Sequence, residues 1–259
     1  MQIIPIPHPL NATVRVPGSK SLTNRALLIA SLARGTTQLQ NALFSDDSRY
    51  FAQALQTLGF DIQLDEARQQ MSVTGLGGTI PADKAELSVG NAGTAARFLT
   101  AFLTLGYGEY ILDGDTRMRE RPIQDLINSL NQLGVELESK NDCPPVEISA
   151  RGLPGGRTKI AGTISSQFLS ALLMVAPYAR SPIEIEVTTE LNSKPYVDMT
   201  LTIMKEFGVE VQRDAYQHFA IPITNYRLPG SNPQSPVSIY RIESDASAAS
   251  YFFAPPPIS

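Results

Sequence analysis

Three copies of one plan, spaced 75 and 74 residues apart, leave this chain few ways to fold. The copies are anchored by Leu58-Gly59-Phe60, Leu133-Gly134-Val135 and Phe207-Gly208-Val209. A period sustained over most of a chain is the signature of a repeated structural unit. Before each anchor lie a polar helix start, an apolar helix, an alternating strand and an amphipathic helix; two short alternating strands follow it. Each unit therefore reads βαβαββ. The second helices put apolar residues on one stripe: Phe51, Leu55 and Leu58; Ile123, Leu126, Ile127 and Leu130; Val197, Leu201, Met204 and Phe207. Alternation such as Val135-Glu136-Leu137-Glu138 or Val209-Glu210-Val211-Gln212 predicts sheets with one wet face, lying outside the apolar helices. The expected class is α/β (α+β), a pseudo-threefold arrangement of buried helices and outer sheets. A fourth copy begins at about residue 237 and does not run to completion.

Composition narrows function without choosing it. The 259 residues carry a formal charge of −4 and no dense basic stripe, so nucleic acid is not an expected partner. Residues 1–10 lack the basic and apolar regions of a leader, and no apolar run is long enough for a bilayer. No membrane partner is expected, and the location reads as cytoplasmic. One cysteine, Cys143, and two scattered histidines, His8 and His218, point to neither a disulfide nor a metal site, and no cofactor is expected.

The helix starts carry the chemistry. Lys20, Ser21 and Arg25 stand at the first; Asn91, Gly93 and Arg97 at the second; Ser165, Ser166 and Gln167 at the third. None is a carboxylate. If the units share an axis, three N-termini with free N–H groups converge, and an anion suits such a place. Two more clusters precede the second helices of units two and three: Arg117-Met118-Arg119-Glu120-Arg121-Pro122 and Ser193-Lys194-Pro195-Tyr196, each with a proline suited to opening a helix. Unit one has Asp46-Asp47-Ser48-Arg49 there, read as a capping pair. Singly, each Ser or Asn is best explained as a cap; together they describe a cationic pocket rich in hydroxyl and amide donors, suited to a phosphorylated polyhydroxylated molecule. Pro17-Gly18-Ser19-Lys20-Ser21 ends like a nucleotide-binding loop but lacks the earlier glycine that loop needs.

These segments, with Gly90-Asn91-Ala92-Gly93-Thr94-Ala95-Ala96-Arg97, Arg119-Glu120-Arg121-Pro122 and Glu243-Ser244-Asp245-Ala246-Ser247, resemble the signature stretches of the 5-enolpyruvylshikimate-3-phosphate synthase family. The resemblance implies the enolpyruvyl transferase fold, two domains of three units each, and transfer of the enolpyruvyl group of phosphoenolpyruvate to the 5-hydroxyl of shikimate 3-phosphate in aromatic amino acid biosynthesis. It assigns Lys20, Ser21, Arg25, Ser165, Ser166, Gln167, Ser193 and Tyr196 to shikimate 3-phosphate. Lys20, Gly93, Arg121 and Gln167 fall to phosphoenolpyruvate, and Asn91 shapes the pocket. The family's proton-handling residues belong to later units, so the catalytic residues of this chain stay unassigned, with Asp245 the one candidate from the second domain. On this reading 1–13 is a strand of the second domain, 14–236 the three-repeat domain and 237–259 the start of a second domain. The ends are expected to expose apolar groups such as Ile242 and Tyr251, and the chain is expected to be inactive alone. A noncatalytic metabolite-binding module, or one half of a split enzyme completed by a separate C-terminal half, would fit the same residues.

Overall fold

The three glycine anchors are three copies of one helix ending. Gly59, Gly134 and Gly208 have φ of 94°, 86° and 81°, a left-handed conformation that costs glycine nothing. Behind each, the next N–H reaches back to close the helix: Phe60 to the Leu55 carbonyl at 3.1 Å, Val135 to Leu130 at 3.4 Å and Val209 to Met204 at 2.9 Å. This is the Schellman ending, in which a buried apolar residue follows the glycine. The conserved spacing in the chain is thus the spacing of three identical stops.

A computed structural model describes residues 13–230 and 237–253. Its first unit comprises α1 (Lys20–Leu32), β1 (Arg34–Gln40), α2 (Asp46–Thr57), β2 (Asp61–Asp65) and β3 (Gln70–Leu76). The second has β4 (Lys84–Ser88), α3 (Gly93–Leu103), β5 (Tyr107–Asp113), α4 (Gln124–Gln132), β6 (Glu136–Ser139) and β7 (Val146–Arg151). The third has β8 (Gly156–Ile160), α5 (Ser166–Val175), β9 (Ile183–Val187), α6 (Lys194–Glu206), β10 (Gln212–Asp214) and β11 (His218–Ile221), followed by β12 (Val237–Arg241) and α7 (Ala246–Phe253). Helices α1, α3 and α5 are buried on nearly every side, as helices apolar all round must be. Helices α2, α4 and α6 bury one side only, and three four-stranded sheets wrap the outside. No helix among the described residues is long and apolar enough to cross a membrane.

The sheets are ordered β12-β1-β3-β2, β4-β5-β7-β6 and β8-β9-β11-β10. In each, the leading strand runs parallel to the next, as β4 does to β5, β8 to β9 and β12 to β1. Val237–Arg241 fills the leading-strand place of the first sheet, paired in parallel with β1. Its partner across the unit boundary explains why. Helix α4 covers the edge of β8, with the Gln132 Oε1 accepting from the Lys159 N–H at 2.8 Å and the Thr158 hydroxyl donating to the Ser129 carbonyl at 2.8 Å. Helix α2 lies against β4 in the same way. Helix α6 needs an equivalent, and Tyr240 of β12 supplies it, donating to Glu206 at 2.7 Å and packing on the Phe207 ring at 5.3 Å. A sheet edge covered in this way satisfies its polar groups.

Beyond β12 the chain crosses the start of α1. The Ser19 N–H donates to the Glu243 carbonyl at 2.8 Å, the Asp245 N–H to Pro17 at 2.9 Å and the Asn41 side chain to Ile242 at 3.0 Å. Ile242 is 1% exposed, against the expectation that it would be bared, because this crossing buries it. Tyr251 is exposed as expected. The expected strand over 1–13 lies, apart from Thr13, outside the described residues. Two local readings also change. The strand read over 209–212 starts only at Gln212, since Val209 is spent on the helix ending, and Ile203 and Thr200 are more buried on α6 than Leu201.

Replacing Tyr240 by alanine is expected to cost about 2 kcal/mol in urea unfolding, through the lost ring contact and hydrogen bond, and to speed amide exchange in β1.

Candidate functional site

The amino ends of α1, α3, α5 and α6 are bound together by cations. Arg25, one turn into α1, is buried to 1% exposure. Its Nε donates to the Thr200 hydroxyl at 2.7 Å, Nη1 to the Ser21 carbonyl at 3.1 Å, and Nη2 to the Ser170 hydroxyl and the Tyr196 carbonyl, both at 3.2 Å. The guanidinium also lies 5.4 Å from the Phe98 ring centre and 6.0 Å from that of Tyr196. One side chain thus touches all four helices. Gln167 of α5 donates to Thr94 of α3 at 3.2 Å, a second tie between helix starts.

Arg97 is the counterpart on α3. Its Nη1 donates to the Gly93 carbonyl at 2.9 Å and Nη2 to Pro122 at 3.1 Å, while Nε is buried without a hydrogen-bond partner. Arg121 donates to the Asn91 carbonyl at 3.1 Å. A methyl group on Gly93 would come within 2.6 Å of both Arg97 and Arg121 guanidinium nitrogens, so glycine there is what lets two arginines approach the helix start. Among the described residues no carboxylate lies within ion-pair distance of Arg25, Arg97 or Arg121. Lys20, at the first position of α1, meets Asp47 at 3.7 Å.

Burial lowers the pKa of Arg25 to about 10, and burial followed by the charge of Arg121 lowers Arg97 to about 10. Both are still cationic at neutral pH. The unfolded chain binds the extra proton between about 10 and the ordinary arginine range, so these groups make stability rise with pH across that window. At neutral pH the fold carries the cost of two desolvated charges that an anion would offset.

The caps agree with this electrostatics in part. Ser19 accepts from the Leu22 N–H at 3.4 Å and Ser165 from the Gln167 N–H at 3.2 Å. The expected cap of the second helix is not formed: Ala92 holds that position and no side chain caps α3. Ser193 precedes α6 in a left-handed conformation, φ 58° and ψ 44°, and its side chain also makes no cap bond. None of these four helices has an acid in its first turn, whereas α2 has Asp46 and Asp47. There the cap is Ser45 in a box with Ser48, and the aspartates serve the dipole. Pro195 opens α6 as expected; Pro122 instead lies two residues before α4.

Of the residues singled out in the sequence, Lys20, Ser21, Arg25, Asn91, Gly93, Arg121, Ser165, Ser166, Gln167, Ser193 and Tyr196 all stand at or within one turn of these helix starts, or reach one by a hydrogen bond. Asp245 instead caps α7, accepting from the Ser247 and Ala248 N–H groups at 2.9 and 3.2 Å. Arg97 was placed at the second helix start but assigned to neither ligand, and Thr94, Ser170 and Thr200 were given no site role by the sequence. Three of them sit four residues after a helix-start residue (Gly93, Ser166 and Tyr196), a signal the spacing carried. A cleft of about 810 Å³ lies elsewhere, on the outer face of the third sheet. Its cations are already neutralised, Arg157 by Glu184 at 2.7 Å and Lys159 by Glu186 at 2.9 Å, so it lacks the excess charge of the helix starts.

The family model described as EPSP synthase (3-phosphoshikimate 1-carboxyvinyltransferase) matches residues 4–258. Curated relatives of that name include one from Marinomonas sp. (strain MWYL1), 49% identical over 94% of this chain and 56% of its own length. Another, from Shewanella amazonensis, is 51% identical over 95% and 56%. The chain therefore spans little more than half the length of these relatives. A solved EPSP synthase from Acinetobacter baumannii superposes with a TM-score of 0.78 at 22% identity, covering 92% of this chain and 51% of that one.

Arg25→Met should keep the melting temperature within a few degrees, because Thr200 and Ser170 stay bonded to each other at 2.9 Å and a desolvated charge is removed. Titration with an organic phosphate should show affinity lowered by about 100-fold.

Proposed function

The chain belongs to the EPSP synthase family, and from that premise we propose that its helix-start site binds shikimate 3-phosphate and one end of phosphoenolpyruvate for carboxyvinyl transfer. The observation that carries this reading is Arg25, a buried guanidinium serving four helices with no carboxylate near it. Lys20, Ser21, Arg25, Ser165, Ser166, Gln167, Ser193 and Tyr196 would hold shikimate 3-phosphate, which offers the phosphate, carboxylate and hydroxyls that such donors match. Arg121, Gly93, Lys20 and Gln167 would receive the phosphoenolpyruvate end, with Asn91 shaping the wall. Lys20 would exchange its contact with Asp47 for a ligand oxygen.

In the proposed reaction the 5-hydroxyl oxygen bonds to the enol carbon while the methylene carbon gains a proton. The hydroxyl proton is lost to a base, and the tetrahedral adduct then expels phosphate as its methyl carbon gives up a proton, which restores the double bond. The site described here can bind and orient both anions and stabilise negative charge. The general acid and base are proposed to come from the family's second half, whether that half continues this polypeptide or is a separate chain. A cytoplasmic location is part of the same reading.

Calorimetric titration tests it. The 259-residue chain should bind shikimate 3-phosphate, Lys20→Ala should weaken that binding at least about tenfold, and release of the phosphoenolpyruvate phosphate with both substrates present should appear only when a second half is supplied. Binding that persists with no turnover under any complementation would favour a noncatalytic metabolite-binding module. Unchanged affinity in Lys20→Ala would refute the site.

A further inference from the structure

Two separate loops deliver the third unit's share of the site, and strand pairing holds neither. The parallel ladder of β8 and β9 ends with the Thr188 N–H donating to Ile160 at 2.9 Å. Past that point residues 161–165 lead to Ser165, Ser166 and Gln167, while residues 189–193 lead to Ser193 and Tyr196. Two exposed side chains lace the loops together. The Thr189 hydroxyl oxygen accepts from the Gly162 N–H at 2.8 Å and the Thr163 N–H at 3.2 Å. Asn192 donates from its side chain to the Thr163 carbonyl at 2.7 Å and from its backbone to the Gly162 carbonyl at 3.0 Å.

The backbones are also in contact. A methyl group on Gly162 would lie 2.9 Å from the Leu191 Cα and 2.9 Å from the Thr189 carbonyl oxygen. Immediately after Asn192 comes Ser193 in its left-handed conformation, a state a non-glycine residue keeps only where its surroundings over-determine it. The lacing supplies that constraint from one side, and the first turn of α6, where the Tyr196 N–H donates to the Ser193 carbonyl at 3.0 Å, supplies it from the other.

We propose that Thr189 and Asn192 are positioning residues that hold the Ser165–Gln167 and Ser193–Tyr196 junctions at a fixed separation, so that both can bond one phosphorylated polyol at once. The inference rests on the reading of the site given under Proposed function. Its physical basis is preorganisation: a ligand spanning two junctions must order whatever the protein leaves loose, and that ordering is subtracted from its affinity. Exposed side-chain bonds add little to global stability, so the lacing should be visible in binding rather than in melting.

Thr189→Val removes the hydroxyl at constant volume, Asn192→Ala removes the other lace, and Thr189→Ser restores the first. With the full 259-residue chain, titration of shikimate 3-phosphate is expected to show dissociation constants raised about three- to tenfold in Thr189→Val and in Asn192→Ala, and near the parent value in Thr189→Ser. Melting temperatures should move by no more than about 2 °C. Amide exchange without ligand should quicken at Gly162, Thr163 and the 165–167 junction in the first two variants only. Parent-like affinity and exchange in both variants overturns the inference while leaving the proposed function intact. Failure of the parent chain to bind shikimate 3-phosphate defeats the proposed function instead, and the exchange pattern alone then decides the lacing: quickened exchange at 165–167 upholds it, and unchanged exchange overturns it.

Discussion

A guanidinium without a counter-ion sits where four helices meet, and the arrangement around it follows from the need to keep it tolerable. Arg25 is given two hydroxyls and two carbonyls in place of water. Each comes from a helix whose position the outer sheets determine. Remove the sheets and the four acceptors have no reason to converge; remove the acceptors and the charge cannot stay buried. The second arginine, Arg97, is less well served, since its Nε finds no partner. A fold that keeps two desolvated cations and places no acid in the adjoining first turns forgoes stability at that spot. Marginally stable proteins keep such features where binding requires them.

Much of this was legible in the chain because the repeat is local. The anchors Gly59, Gly134 and Gly208 mark helix stops whose geometry depends on a few neighbouring residues, so reading them requires no knowledge of distant contacts. The same holds for α1, α3 and α5, where helices so largely apolar can only be interior, and for Arg25 and Gly93, which the helix starts single out. The TM-score of 0.78 to a solved relative supports the resulting architecture.

What stayed hidden depends on residues far apart in sequence. Nothing in the pattern of Val237–Arg241 says that it pairs with a strand two hundred residues earlier; that follows from ring closure, in which α6 must cover some edge and β12 is the one within reach. The burial of Ile242 follows from the same crossing. Thr200 and Ser170 look like ordinary polar residues on their helices until Arg25 arrives from another unit. The second helix start misled because an asparagine one position too early resembles a cap, while the cap itself is alanine.

The crossing of residues 16–19 with 242–245 has one more implication. The polypeptide enters and leaves this ring of helices through two extended segments that bond to each other beside the start of α1. Any mass attached on either side would hang from this short hydrogen-bonded crossing. Swivelling about that crossing would carry Ser19 and the first turn of α1 along with it, so whatever is joined there and the four helix starts would feel the same torque.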